Sequence, residues 1–381
     1  MKKYFFTLFV LLFSFYYSQQ VKYKILERES EIPLEFVKIE ALNEIFFSNK
    51  DGEFSIDGNE NDSIKISKSG YEIFKSKIGK LQEKIILNPK VYQIEEVVLE
   101  SFPKILTNAY KSIENNYPLF PYQENFNLRI ILKKNDTINK LEDIVGTVKR
   151  KSLFETKNLS IPKNQYAKVQ LYNLRKVEKK EKIIYFKEFT FDELFLKIAS
   201  IFLNPKEITF STNKSESDDK IAKIVFSAKN SKSANGYYFI NKKDNAILEY
   251  KILSDTSNSE FTIQKDYKYR TLNYELNTLF SKNEKESKYF ISTVKMNATV
   301  EVIDPKENRT LFNISHYLTT NNSFNSLNFK ENVSNTKDIF DVKGNFNSEL
   351  FDTNKNFILN DELRNFIISA QSNPKEYNIN R

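Results

Sequence analysis

Leu34-Glu35-Phe36-Val37-Lys38-Ile39-Glu40-Ala41 sets Leu34, Phe36, Lys38 and Glu40 on one side of an extended chain and Val37, Ile39 and Ala41 on the other. That period of two belongs to a strand and excludes a helix, whose apolar positions recur every 3.6 residues. Asn49-Lys50-Asp51-Gly52 follows as a turn in which Gly52 supplies positive φ, and Ser69-Gly70 is a second breaker. Working outward, short strands rich in Ile, Val and Phe are predicted at 21–26, 45–48, 53–56, 63–67, 71–76, 84–87 and 94–99. Turns at such short intervals predict a β-sandwich over residues 21–99.

Pro103 opens a predicted linker helix in 100–120, with Ser101 or Phe102 at the cap, Ile105, Leu106, Ala109 and Ile113 at helical spacing, and Tyr117-Pro118 as its stop. Beyond Pro121, longer strands are predicted at 125–133, 165–174, 182–191, 221–228, 236–241, 246–253, 261–272, 289–303 and 310–317. A helix is inserted among them on Phe191, Leu194, Phe195, Ile198 and Phe202, capped by Asp192 and stopped before Pro205. A last helix near 361–370 carries Leu363, Phe366, Ile367 and Ala370 on one stripe. The segments 213–220 and 321–356, rich in Asn, Ser and Lys, read as loops. The predicted class is mainly β: an N-terminal sandwich, a linker helix, and a larger antiparallel β domain with a few helices over 121–381.

The chain of 381 residues carries 58 basic and 50 acidic side chains, a net charge of +8, with 33 Phe and 21 Tyr to build cores. No cysteine is present, which excludes disulfides, thiolate nucleophiles, Cys-ligated metals and a lipid-bearing lipoprotein cysteine. The single histidine, His316, excludes sites built from two imidazoles. Lys2-Lys3 and the apolar run from Tyr4 to Tyr17, ending near Ser18, read as a secretory signal peptide over residues 1–18. Its removal takes two lysines and leaves a charge of +6, and no later segment is apolar enough to span a membrane as a helix. Export without cysteine predicts a periplasmic or outer-membrane-associated protein.

No catalytic, cofactor or metal residue is assigned. His316 sits in an alternating strand with no Gly-x-Ser-x-Gly elbow anywhere, and reads as structural. The doublets Glu95-Glu96 and Asp218-Asp219 point their carboxylates to opposite faces of a strand, so neither makes the separated pair of a glycosidase. Asp51-x-Glu53 and Asp57-x-Asn59-x-Asn61 have calcium-loop spacing without its central Gly and closing Glu, and read as turns. Arg150-Lys151, Arg175-Lys176 and Lys179-Lys180, flanked by Tyr166 and Tyr172 and interleaved with Glu178 and Glu181, read as a solvated strand end or a contact for acidic lipopolysaccharide, not as a nucleic-acid site.

Three pieces of the first domain fall in order: Pro33-Leu34 with Phe36-Val37, then Ser48-Asn49-Lys50-Asp51-Gly52-Glu53-Phe54-Ser55-Ile56, then Asp62-Ser63-Ile64-Lys65-Ile66-Ser67 ending at Gly70-Tyr71. Together they resemble the carboxypeptidase-like regulatory domain, a transthyretin-like sandwich found in Bacteroidetes exported proteins. Lys22-Tyr23 stand where that family has a first-strand glycine. Ala109 to Pro118 and Asn356 to Glu362 resemble elements of exported proteins carrying this domain, and Asp62-Ser63-Ile64 and Asp136-Thr137-Ile138 resemble their O-glycosylation sites. The resemblance brings no catalytic residue and no cofactor. It implies a non-catalytic cell-envelope binding or scaffolding protein beside outer-membrane transport machinery, with an envelope protein or a glycan as partner. Two alternatives stand beside it: a periplasmic carrier of a lipid or other apolar ligand, for which an apolar pocket under the helix at 191–203 is the sign, and a carboxylate-based hydrolase.

Overall fold

The computed structural model describes residues 22–42, 44–90, 97–100, 103–155, 165–181, 187–203, 207–213, 220–229, 234–283, 285–321 and 329–380. The expected signal peptide, the Glu95-Glu96 and Asp218-Asp219 doublets, and part of the expected strand at 182–191 lie outside them. The protein is mainly β, with a few helices, and divides into two units, Met1–Pro89 and Lys90–Arg381. No helix among the described residues is long and apolar enough to cross a membrane.

The first unit holds two sheets. β1 (Lys22–Glu27) pairs antiparallel with β4 (Glu53–Ser55) and parallel with β7 (Lys84–Leu87), in the order β4-β1-β7. The second sheet runs β3-β2-β5-β6, from β2 (Lys38–Ala41), β3 (Glu44–Phe47), β5 (Ser63–Ser67) and β6 (Phe74–Lys77). Alternation buries Ile39, Phe46, Phe54, Ile64 and Ile66, and the Phe46 and Phe54 rings lie 6.2 Å apart across the two sheets. Gly52 adopts φ +74° at the turn, where a Cβ would fall 2.5 Å from the Ile25 carbonyl oxygen.

The second unit is one antiparallel sheet flanked by helices. Its strands are β8 (Val97–Glu100), β9 (Tyr122–Lys134), β10 (Thr137–Arg150), β11 (Ala167–Lys179), β12 (Ile208–Asn213), β13 (Ile221–Ala228), β14 (Ala234–Asn241), β15 (Ile247–Asp255), β16 (Thr262–Gln264), β17 (Tyr267–Asn283), β18 (Lys288–Ile303), β19 (Arg309–Asn321) and β20 (Tyr377–Ile379). They follow the order β20-β11-β10-β9-β19-β18-β17-β15-β14-β13-β12-β8, with β16 on β17. The helices are α1 (Lys104–Lys111), α2 (Ile113–Asn116), α3 (Phe191–Ile198), α4 (Ser348–Asp352) and α5 (Asp361–Ser372).

Several expectations change here. The segment at 94–99, expected in the first sandwich, contributes β8, which pairs with β12 in the second unit. The expected linker helix is not a free connector: Leu106, Ala109 and Tyr117 are buried in the second unit's core, and the Tyr117 hydroxyl donates to the Ile247 carbonyl. The expected strand at 261–272 is a hairpin, because Lys265 and Asp266 both take positive φ between β16 and β17. Thr190, not Asp192, caps α3: its hydroxyl accepts from the Glu193 amide while the Glu193 carboxylate accepts from the Thr190 amide. Asp192 instead accepts from the Ala167 amide and from Asn335.

The sheet's inner face carries the main core. Phe191 and Phe195 of α3 meet Phe126 edge-on at 6.2 and 5.6 Å, and the Ile198 carbonyl accepts from the Thr278 hydroxyl, so the helix crosses the face from β9 to β17. On the outer face, Leu363, Phe366 and Ala370 of α5 pack on Ile131, Leu141 and Val177. Gly236 lets β14 and β15 meet, since a Cβ there would fall 1.9 Å from the Lys251 carbonyl oxygen.

Candidate functional site

In-register pairing of β17, β18 and β19 sets Tyr274, Ala298 and Ile314 in one row of the sheet, and Leu276, Met296 and His316 in the next. These residues face α3 and floor a cavity of about 570 Å³, apart from Leu276, which is buried in the core. Phe189 and the α3 flank that carries Glu193 and Lys197 wall it, and Val300 extends the floor. The Lys197 ammonium lies 4.9 Å from the Tyr274 ring centroid, so its stem covers apolar surface while its charge stays at the mouth. Lys187, Glu193 and Lys197 give that mouth both signs of charge. An apolar floor with a few convergent polar groups is the general form of a small-molecule site.

Those polar groups include a buried pair. His316 Nε2 lies 3.0 Å from Glu188 Oε1, and both residues are nearly inaccessible to solvent. Glu188 Oε1 also accepts from the Phe189 amide, and the Glu188 amide donates to Asp338 Oδ2. An ionised carboxylate only accepts, so the proton sits on Nε2 and a neutral ring keeps a bare lone pair on Nδ1. Among the described residues, His316 Nδ1 is buried with no hydrogen-bond partner, and so is the Tyr274 hydroxyl, which burial pushes well above the usual phenol range. The Thr256 hydroxyl, also on the cavity wall, is committed to the Thr271 carbonyl. Among the described residues, no hydroxyl is hydrogen-bonded to His316, whose side chain bonds to Glu188.

Of the basic residues singled out in the sequence, Lys151 and Lys180 are exposed, donating to Gln165 and to the Pro374 carbonyl, but Arg150 and Arg175 are buried and Lys176 partly so. Arg150 is wholly buried, with Nη2 2.8 Å from Glu124 Oε1 and its guanidinium 4.6 Å from the Phe195 ring centroid. Burial pushes the Glu124 carboxyl up against the pull of Arg150. Arg175 and Arg129 both bind the buried Asp143, under the rings of Phe351 and Phe357. Burial raises the Asp143 carboxyl, but the two guanidiniums outweigh it and hold it below the usual range. Lys176 donates to the Phe340 carbonyl and pairs with Glu142 at 3.1 Å; burial pushes Glu142 up to about 7 against that pull and that of Lys140. The physical reason for the correction is register: Arg129, Asp143 and Arg175 are direct cross-strand neighbours, as are Glu142 and Lys176, so each charge meets its opposite across the sheet.

Sequence reasoning weighed His316 but read it as structural, and missed Glu188, which lies far from it in the chain and reaches it through the segment preceding α3. Among the described residues, no group of three acidic or histidine side chains is placed to hold a metal. The Asp57-x-Asn59-x-Asn61 segment closes on itself as a turn, with Asp62 Oδ2 accepting from the Asn59 amide. Compared with known proteins, the chain matches no protein-family model and no curated protein.

Proposed function

We propose that this is a non-catalytic binding protein of the bacterial cell envelope whose second unit holds a small, largely apolar molecule. The observation that carries the reading is the cavity under α3, floored by Met296, Ala298, Val300 and Ile314 and closed by Phe189. Its volume of about 570 Å³ falls within the range of pockets that enclose drug-sized ligands. The mixed charge at its mouth selects no strongly charged head group. The envelope assignment rests on the signal-like first 18 residues, the absence of cysteine, and the resemblance of residues 21–99 to the carboxypeptidase-like regulatory domain.

A scaffolding role belongs to the first unit in this reading. β7 and β3 are sheet edges, and Ile86 and Ile45 on them are 40% and 46% exposed, which suits addition of a partner strand. The test of the binding reading is a fluorescence titration with 12-(dansylamino)dodecanoic acid. Saturable binding at one site, weakened more than about tenfold by Ala298→Leu, supports it, since the added side chain occupies the floor. Absence of saturable binding overturns it.

A further inference from the structure

We infer that His316 Nδ1, with Glu188 fixing the ring from behind, is the hydrogen-bond anchor for a hydroxyl on a neutral, otherwise apolar ligand in the cavity under α3. This rests on the reading of that cavity as a binding site and adds the chemical class of its ligand. A buried polar atom without a partner costs free energy in any folded protein, and such atoms are rare. Here two belong to residues of one cavity wall, His316 Nδ1 and the Tyr274 hydroxyl.

The hydrogen-bond roles decide the class. With the ring neutral, Glu188 Oε1 accepts the hydrogen bond from Nε2–H and Nδ1 is left as an acceptor, so the ligand brings a donor. An anion at the same place would meet the Glu188 carboxylate as a like charge in a poorly solvated site. A hydroxyl donates without carrying charge into the cavity. Nδ1 is closed to solvent, and Phe189, whose ring centroid lies 5.9 Å from that of the imidazole, stands on the cavity wall beside it.

The experiment displaces 12-(dansylamino)dodecanoic acid from the full chain with 1-dodecanol, 1-methoxydodecane, dodecanoate and dodecylamine. The alcohol is expected to bind about tenfold more tightly than the methyl ether, which has the same chain and no donor. In His316→Phe that preference falls below about twofold while the ether's affinity is retained, which also reports an intact fold. His316→Gln, which can accept from the ligand and donate to Glu188 at once, restores part of the preference. Should His316→Phe fail to fold with Glu188 left alone, Glu188→Gln/His316→Phe removes the stranded charge and is read the same way. Equal binding of alcohol and ether to the native protein overturns the anchor and leaves the cavity reading standing. Tighter binding of dodecanoate or dodecylamine overturns the hydroxyl in favour of a charged group. Failure of the probe itself to bind removes the cavity reading and this inference with it.

Discussion

The two ends of the inner face belong to one sheet, with β18 running through both, and are packed in opposite ways. Where β9, β10 and β18 carry Tyr122, Arg150 and Phe290, the face is filled: α1 and α2 bring Leu106, Ala109 and Tyr117, and the Tyr117 ring meets Phe154 and Phe280 at 5.1 and 5.5 Å. Where β17, β18 and β19 carry Tyr274, Ala298 and Ile314, the α3 flank bearing Glu193 and Lys197 walls the floor without filling it, and the cavity remains. The difference teaches that the apolar inner rows of a strand do not by themselves say whether they face a core or a ligand. What covers them does.

Substitutions at the filled end are the largest expected effects and the first way to break the comparison. Phe195→Ala leaves a hole against Phe126 and Arg150 and is expected to cost about 3–5 kcal/mol, read as a lowered urea midpoint at unchanged slope. Arg150→Ala, which strands the buried Glu124 carboxylate, is expected to cost a similar ~3–5 kcal/mol, and wild-type stability in that variant would contradict the described pair.

Glu142 sharpens the comparison at the other end, in the same cross-strand row as His316 through Ile130. Its carboxyl is raised from about 4.5 when unfolded to about 7 when folded, so the folded state holds the proton more tightly. The associated stability is fully present below about pH 4.5 and is lost as pH rises through about 7, an order of ~3 kcal/mol across the window. Glu142→Gln removes a titrating group, and urea midpoints measured from pH 4.5 to 8 should flatten. An unchanged pH profile would show that burial does not govern this group. Thr190→Ala, which deletes the cap of the helix dividing the two ends, is expected to cost about 1 kcal/mol in the same assay.

The smallest expected effect on stability is the sharpest contrast. Ala298→Leu adds apolar volume where the floor is open and should shift stability by less than about 1 kcal/mol, while the same kind of overpacking at the filled end costs about 1–3 kcal/mol. A loss from Ala298→Leu as large as that from Phe195→Ala would mean that the two ends are packed alike.

Much of the strand content was legible because alternation is local. β10 was not, and its sequence shows why. Asn139-Lys140 and Glu142-Asp143 look like a polar loop, yet Asn139, Lys140, Glu142 and Asp143 are all buried. Their partners, Arg129, Lys176 and Arg175, sit on flanking strands, and the covering rings of Phe340 and Phe351 come from the segment 321–356, which reads as loop, with Phe357 just beyond it. Charge looks like exposure until the register that neutralises it is known. The Lys265-Asp266 turn escaped for a related reason, since neither residue is the glycine that announces a tight hairpin. The cavity was legible only as an alternative, because an unfilled volume is a property of what several distant elements leave out.

The β9–β19 pairing carries a consequence for the order of assembly. β9, β10 and β11 form one meander of near neighbours, and β12 to β19 another, so most of the sheet can zip from contacts close in the chain. The two meanders join at one seam that brings Asn127 to Thr319, 192 positions later. Loop closure over that span is the costly step, and contacts of such long range slow folding. During synthesis the edge of β9 bearing Leu128, Ile130 and Leu132 must wait, unpaired, for its partner to emerge. His316 lies on that partner, yet the floor strands β17, β18 and β19 belong to one meander, so the floor can form before the seam closes.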